Sequence, residues 1–419
     1  MKTLDLLAQN ALLKNRRILL LVSGSIAAYK SLDLVRAFVK MGAKVKVVMS
    51  KQAMRFVTPL SFEALSHYPV LTHKSERWDL SDPNCPNHIS YAQWAEVVLL
   101  APASANTLAK LAHGLADSLL SAVFLASSAL KILAPSMNTH MLEARITQEN
   151  LKRLKSWGCV VVEPREDLLA CNTRGKGAMA DILELVCASV QALYKNSFWA
   201  GKEVVVSGGG SLEKIDSVRY ICNFSSGLQA SALALALYFQ GAQVSLVASA
   251  FPLELPAGIE CLKAQSGADF LQALQERANL QDPPFLFMLA AISDYKPATS
   301  HKGKLKKQDL GASWNLECVQ NVDILASLKG FIKIGFKAEE EGANAIANAR
   351  KLLESPKNGG KGCLAVCLNT LDCQPFGSAQ NQMWLLSAQH NQRTNHLSKL
   401  ALSFEILNFV SQVCRAQSC

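Results

Sequence analysis

The chain of 419 residues contains no Cys-x-x-Cys pair, which removes the usual frame for a structural zinc site although twelve cysteines are present. Their spacing is irregular and many lie in runs such as "AVCLN" that read as buried strand or helix, so a disulfide framework is excluded in favour of a reducing cytoplasm. Charge is sparse as well, at 18% of residues. The net charge of +10 is scattered singly between apolar stretches, and only "HKGKLKKQ" (301–308) resembles the stripe a polyanion needs. Phosphorylated small molecules are therefore expected as partners, and nucleic acid is not. Neither glycine loop has G-x-G-x-x-G spacing, which counts against a dinucleotide. The longest apolar stretch, "SLLSAVFLASSALKILA", is broken by serines and a lysine before it reaches membrane length. "MKTLDLLAQNALLKNRR" carries an acid and amides where a signal peptide needs an apolar core. The expectation is a soluble, cytoplasmic protein with no membrane partner.

Half of the residues are apolar, and the length suits two α/β domains of roughly 200 residues each. "ILLLVSGSIAAYKSLDLVRAFVKMGAKVKVVMS" passes from an apolar run through a helix-period segment to a second apolar run, a β-loop-α-β unit. "AEVVLLAPAS", "ALKILAPSMN" and "CVVVEP" repeat the short strand with a small or polar end. Such units predict a parallel sheet with helices on both faces and ligands at the carboxyl ends of its strands. The rhythm restarts in "FWAGKEVVVSGGG", which places a boundary near Asn196 and gives domains 1–196 and 197–419.

The candidate residues sit at these strand ends. Gly24 and Ser25 in "VSGSIAAYK" let backbone amides approach an anion at a helix start, consistent with a mononucleotide. Ser104, Asn106 and Thr107 end another strand, where helix capping is the competing explanation. His88 in "PNHIS", Asn138 in "APSMNTHM" and Cys171 in "LLACNTRGKGAM" lie in loops that converge on one side of such a sheet. In the second half, "VVVSGGGSLEKIDSVRYICNFSSG" offers a glycine turn, which is either a phosphate cradle or a flexible loop, and a polar helix start. "AAISDYKP" puts Asp294 at a strand end, "KGKLKKQ" is either a solvated face or an anion cluster, and "SPKNGGKG" (355–362) reads as a flexible loop.

"GSIAAYK", "MSKQAMRFVTPLSF", "NHISYAQWAE", "APASANTLAKLAHGLADSLL" and "APSMNTHM" together resemble the homo-oligomeric flavin-containing cysteine decarboxylases, specifically the phosphopantothenoylcysteine decarboxylases. The resemblance implies a flavodoxin-like fold that binds FMN, with Gly24, Ser25, Ser50, Ser104, Asn106 and Thr107 as contacts. It also implies a catalytic histidine at His88, a substrate-carboxylate contact at Asn138 and a proton-donating thiol at Cys171 on a flap. By that mechanism the substrate is oxidised to a thioaldehyde, loses CO₂ to an ene-thiol and is reduced again. The flap departs from the family pattern at Asn172, where a glycine is usual, and at Ala178, where an arginine is usual.

From Lys202 to about Leu386 the chain resembles the CTP-using bacterial phosphopantothenate-cysteine ligases, which implies a Rossmann-like second domain. Arg219 and Asn223 match the "VR-x-x-x-N-x-SSG" motif, Ala290, Ala291 and Asp294 the "AA-x-x-D" motif, and Lys304 the first lysine of Lys-x-Lys-Lys. Val322, Asp323, Ile324 and Leu325 stand at a nucleotide loop and Phe336 on a nucleotide strand. Lys351 matches one basic contact, Lys357 is the alternative, and "LNTLDCQPFGS" resembles the closing segment. Leu212 replaces a usual arginine. The implied reaction joins 4'-phosphopantothenate to CTP as an acyl-cytidylate, which cysteine then opens, with Mg²⁺ on the phosphates and Lys304 and Asn223 at the reacting groups. Trimeric flavin domains and dimeric ligase domains are implied too. Competing readings are a decarboxylase of peptide C-terminal cysteines and a non-catalytic flavin-binding regulator.

Overall fold

The structure is a computed structural model that describes residues 2–79, 85–340, 342, 344–370 and 378–417. The described residues divide into two compact units, one spanning Thr3–Tyr194 and the other running from Lys195 onward.

In the first unit, β1 (Arg17–Val22), β2 (Lys44–Met49), β3 (Val97–Ala103), β4 (Leu130–Pro135) and β5 (Val160–Val161) form a parallel sheet in the order β2-β1-β3-β4-β5. This is the flavodoxin-like order, whose switch point lies between β1 and β3. The interior strand β1, "RILLLV", is buried at all but its first residue, because helices cover both faces of a parallel sheet and leave no side for polar alternation. The Ser31–Lys40 helix shows the complementary pattern, burying Ser31, Leu34, Val35 and Phe38 at helical spacing. One core layer gathers Leu19, Leu21, Val98, Leu100 and Leu133 from the sheet against Leu108, Leu111, Val123 and Phe124 from helices. Two further strands, β6 (Arg165–Leu168) and β7 (Arg174–Ala178), make an antiparallel hairpin.

The second unit holds an eight-stranded sheet. From one edge its strands are Ile259–Lys263, Gln243–Ala248, Glu203–Gly208, Phe285–Met288, Ile332–Glu339, Ala365–Thr370, Met383–Leu386 and Asn391–Arg393. The first six run parallel and the last two antiparallel, a Rossmann-like arrangement with a mixed edge. The Leu228–Phe239 helix buries nine of its twelve residues, which is why its sequence "LQASALALALYF" shows almost no polar face. Trp199 is fully buried with its ring 5.1 Å from that of Phe285.

The ten described cysteines form no disulfide with one another. No described helix is long and apolar enough to cross a membrane. The segment 355–362, expected to be flexible, closes on itself instead: Pro356–Asn358 forms a 3₁₀ turn, and the Gly362 and Gly360 amides donate to Glu354 O at 2.8 Å and Ser355 O at 3.1 Å.

Candidate active sites

At the carboxyl ends of β1 to β4 a cavity of about 710 Å³ opens, lined by Gly24, Ser25, Ser50, Ser104, Asn106 and Thr107. Buried Ser23 joins the two strand ends at the switch point: its hydroxyl donates to Pro102 O at 2.7 Å and accepts from the Ser104 amide at 2.9 Å. Gly24 is small because the 50–52 loop passes over it; a Cβ there would lie 2.4 Å from Gln52 Cβ. The segment after Ser25 begins as a 3₁₀ turn, Ile26–Lys30, before the α-helix. Ser104 caps the Ala105–Ala112 helix and accepts from the Thr107 amide at 3.4 Å, so capping and cavity lining are the work of one residue. Ser118, unremarked in the sequence, caps the Leu119–Ala126 helix on the same wall. Two helix starts facing one cavity favour an anionic group there.

A second cavity of about 470 Å³ shares Ser25, Ser136 and Met137 with the first and is lined also by Asn138 and Cys171. Asn138 caps the Thr139–Glu143 helix, and its Nδ2 donates to Cys171 Sγ at 3.2 Å. Cys171 sits at the tip of the β6–β7 hairpin and also shares a hydrogen bond of 3.0 Å with the Thr173 hydroxyl. Both contacts stabilise the thiolate, Thr173 more than Asn138, and hold the Cys171 pKa below that of an ordinary thiol.

The flap glycines serve close packing rather than freedom. A Cβ on Gly175 would meet Thr139 Oγ1 at 2.4 Å and one on Gly177 would meet Met137 O at 2.2 Å, so β7 lies directly on the 137–139 loop, where the Met137 amide donates to Gly177 O at 3.0 Å. Asn172, in place of a glycine, has φ 64 and occupies the left-handed region that asparagine tolerates best among non-glycine residues. Ala178 stands opposite Arg165 in the hairpin and lines the second cavity. His88 is placed differently from the expectation of a convergent loop: it lines neither cavity. It begins the His88–Trp94 helix with Nδ1 2.7 Å from Glu76 Oε1 and its ring 5.4 Å from that of Trp78.

In the second unit a cavity of about 440 Å³ is lined by Ala290, Ala291, Asp294 and Phe336, together with the 224–230 helix start. Asn223 borders it, donating from Nδ2 to Ile292 O at 3.2 Å and accepting from the Ser293 hydroxyl at 3.4 Å. Arg219 is held to buried Asp216 at 2.5 and 3.0 Å, and it donates to Leu305 O at 3.0 Å. The Leu305 amide donates back to Asp216 Oδ2 at 3.1 Å. Arg219 thereby holds the Asp216 carboxyl well below the usual range, and the pair anchors the loop that carries exposed Lys304.

Val322, Asp323, Ile324 and Leu325 do not line this cavity. Asp323 caps the Ile324–Ser327 helix and pairs with Lys361, while Val322, Ile324 and Leu325 pack into the core. Lys351 is off the cavity as well, with Nζ 3.5 Å from Asn348 Oδ1, and Lys357 does not line it either. Residues 371–377 of "LNTLDCQPFGS" lie outside the described residues. Asn321 is a brace with no local sequence signature: its backbone amide donates to Asp294 O at 2.7 Å, and its side chain donates to Glu213 Oε1 and Ser293 O, each at 3.0 Å. No group of three or more His, Cys, Asp or Glu side chains that could hold a metal lies among the described residues.

A flavodoxin-like unit and a Rossmann-like unit, each with its own crevice at the carboxyl ends of parallel strands, define a two-site α/β enzyme. Residues 7–194 match the model of the Flavoprotein family, and residues 199–413 match that of the DNA/pantothenate metabolism flavoprotein C-terminal domain. The coenzyme A biosynthesis bifunctional protein CoaBC of Bacillus subtilis (strain 168) is 35% identical over 414 residues, covering 96% of this chain and 98% of its own. The protein of the same name from Vibrio vulnificus (strain YJ016) is 35% identical over 94% of this chain and 97% of its own, and that of Escherichia coli (strain K12) is 33% identical over 89% and 91%. The chain belongs to this family of coenzyme A biosynthesis bifunctional proteins, and it is an enzyme with decarboxylase and ligase activities.

Proposed function

We propose that residues 197–419 join cysteine to 4'-phosphopantothenate with CTP, and that residues 1–196 decarboxylate the product, 4'-phosphopantothenoylcysteine, to 4'-phosphopantetheine with FMN. The observation that carries this reading is the Cys171–Asn138 pair at 3.2 Å in a crevice that opens onto the cavity at the β1/β3 switch point. The larger cavity fits FMN: Gly24, Ser25 and Ser50 leave backbone exposed, and the Ser104 and Ser118 helix starts favour a phosphate. When bound, FMN supplies the two-electron redox chemistry that makes a carboxylate next to a thiol-bearing carbon able to leave. Asn138 orients the substrate carboxylate, and Cys171 returns a proton to carbon once the hairpin has excluded water.

In the second unit Asp294 and Phe336 take the nucleoside, while Ala290, Ala291 and Asn223 take the pantothenate acyl group. Lys304 offsets the charge where carboxylate meets triphosphate, carried there by the loop that Asp216 and Arg219 anchor. Val322 to Leu325 and Lys351 support this site from behind rather than from its wall. Mg²⁺ is expected on the nucleotide phosphates rather than in a protein cage. His88, off the crevice of its own chain, suits a homo-oligomer in which a second copy supplies it, with trimeric flavin units and dimeric ligase units. A reducing, cytoplasmic setting agrees with ten free thiols.

Purified protein should be yellow, and with phosphopantothenate, cysteine, magnesium and CTP it should release pyrophosphate, CMP and then CO₂. A colourless protein that consumes neither CTP nor ATP would end this reading.

A further inference from the structure

Lys399 opens the 19-residue helix Lys399–Gln417 and lines the same cavity as Asp294 and Phe336. Gln229, in the first turn of the Leu228–Phe239 helix, donates from Nε2 to Lys399 O at 3.1 Å and to Ser403 Oγ at 2.9 Å. The Ser403 hydroxyl donates to Lys399 O at 2.7 Å. Two helix starts are thus fastened side by side at the cavity wall. The Lys399 side chain is half-buried and its ammonium has no hydrogen-bond or ion-pair partner among the described residues. The other cation on the wall, Lys337, is already 2.9 Å from Glu339.

An ammonium withdrawn from water without a counter-charge is costly, and burial accordingly lowers the Lys399 pKa. An anion entering the cavity would remove that cost. The neighbouring wall favours the same charge, since Ser225, Ser226 and the amides at the start of the Leu228–Phe239 helix face it. We propose that Lys399 is a phosphate-binding residue of this cavity, a point charge for a phosphoryl group of its ligand, and that Gln229 is the positioning residue that holds it there. The assignment rests on the ligase reading of this unit. That reading offers two sources of the phosphate, the triphosphate of CTP and the phosphomonoester of 4'-phosphopantothenate.

The test is calorimetric titration of the full chain with Mg-CTP, with 4'-phosphopantothenate and with inorganic tripolyphosphate. Lys399→Met is expected to weaken one of the two substrates about 10- to 100-fold, the loss of one desolvated charge-assisted contact. Lys399→Arg should restore most of that affinity, Gln229→Ala should weaken the same ligand to a smaller extent, and FMN binding should be unchanged throughout. Weakened CTP and tripolyphosphate binding would place the triphosphate at Lys399; weakened phosphopantothenate binding alone would place the phosphomonoester. Wild-type affinity for both substrates in Lys399→Met overturns the proposal while leaving the ligase reading intact. A wild-type chain that binds none of the three ligands overturns both. Should Lys399→Met fail to fold, undiminished affinity for both substrates in Gln229→Ala would overturn the proposal in its place.

Discussion

Cys171→Ser is expected to release pyrophosphate at the normal rate and yet to form 4'-phosphopantetheine about 10² to 10⁴ times more slowly, the span over which positioned proton donors act. The serine keeps the size and the hydrogen bonds to Asn138 and Thr173, so the hairpin stays in place and only the acidity of the group changes. A serine hydroxyl is far weaker as an acid than a thiol whose pKa two hydrogen bonds have lowered. The pH dependence carries the same signature. On the proposed mechanism the protonated thiol is the donor; with its pKa below the ordinary value, decarboxylation should fall off as pH rises through that lowered pKa, at less alkaline pH than a free cysteine would dictate. The Ser variant should lack this alkaline limb. Coupled measurement of pyrophosphate and CO₂ release checks both halves, and wild-type CO₂ release from the variant would remove the thiol from the mechanism.

Asn321→Leu is expected to destabilise the second unit by about 3 kcal/mol, because the buried Glu213 carboxylate then loses a side-chain donor and the Ser293 carbonyl another. Glu213 keeps the Gly267 amide at 2.9 Å on the same oxygen, Oε1, which is left with one of these two donors. For a unit of this size the shift in unfolding midpoint is about 6–12 °C. Ligation should fall with it, since the Asn321 side chain also holds the Ser293 carbonyl next to Asp294, while flavin absorbance and decarboxylation of supplied 4'-phosphopantothenoylcysteine persist. Differential scanning calorimetry with the two activities measured separately checks this. An unchanged midpoint would show that Glu213 is satisfied without Asn321.

What the sequence revealed and what it hid divide along physical lines. Gly24, Ser25, Ser104 and Asn138 were legible because each stands where a short apolar run stops, and parallel topology brings all such ends to one rim. Asp294 was legible for the same reason, whereas Phe336, inside the Ile332–Glu339 strand, was legible only through the resemblance. Lys399, Gln229 and the Glu213–Asn321 brace were not, since each depends on segments separated by about a hundred residues or more and leaves no local pattern. The close packing of the flap glycines Gly175 and Gly177 was hidden too, since the space beside each is filled by the 137–139 loop, a fact about neighbours rather than about the motif. His88 was read onto the crevice from its loop, yet its partner is Glu76, twelve residues earlier. The motif at 321–325 marks a real structural junction, but its side chains face the core and a helix cap instead of the cavity.

The exposed thiols of this chain are chemically unequal. Burial raises the pKa of Cys222 and of Cys261, the latter helped by Glu260, whereas hydrogen bonds lower that of Cys171. A limiting dose of a soft electrophile near neutral pH will therefore alkylate Cys171 ahead of those two. The hairpin tip proposed to protonate the decarboxylation product also makes that half of the enzyme the more vulnerable to covalent poisoning, with the synthetase half left running.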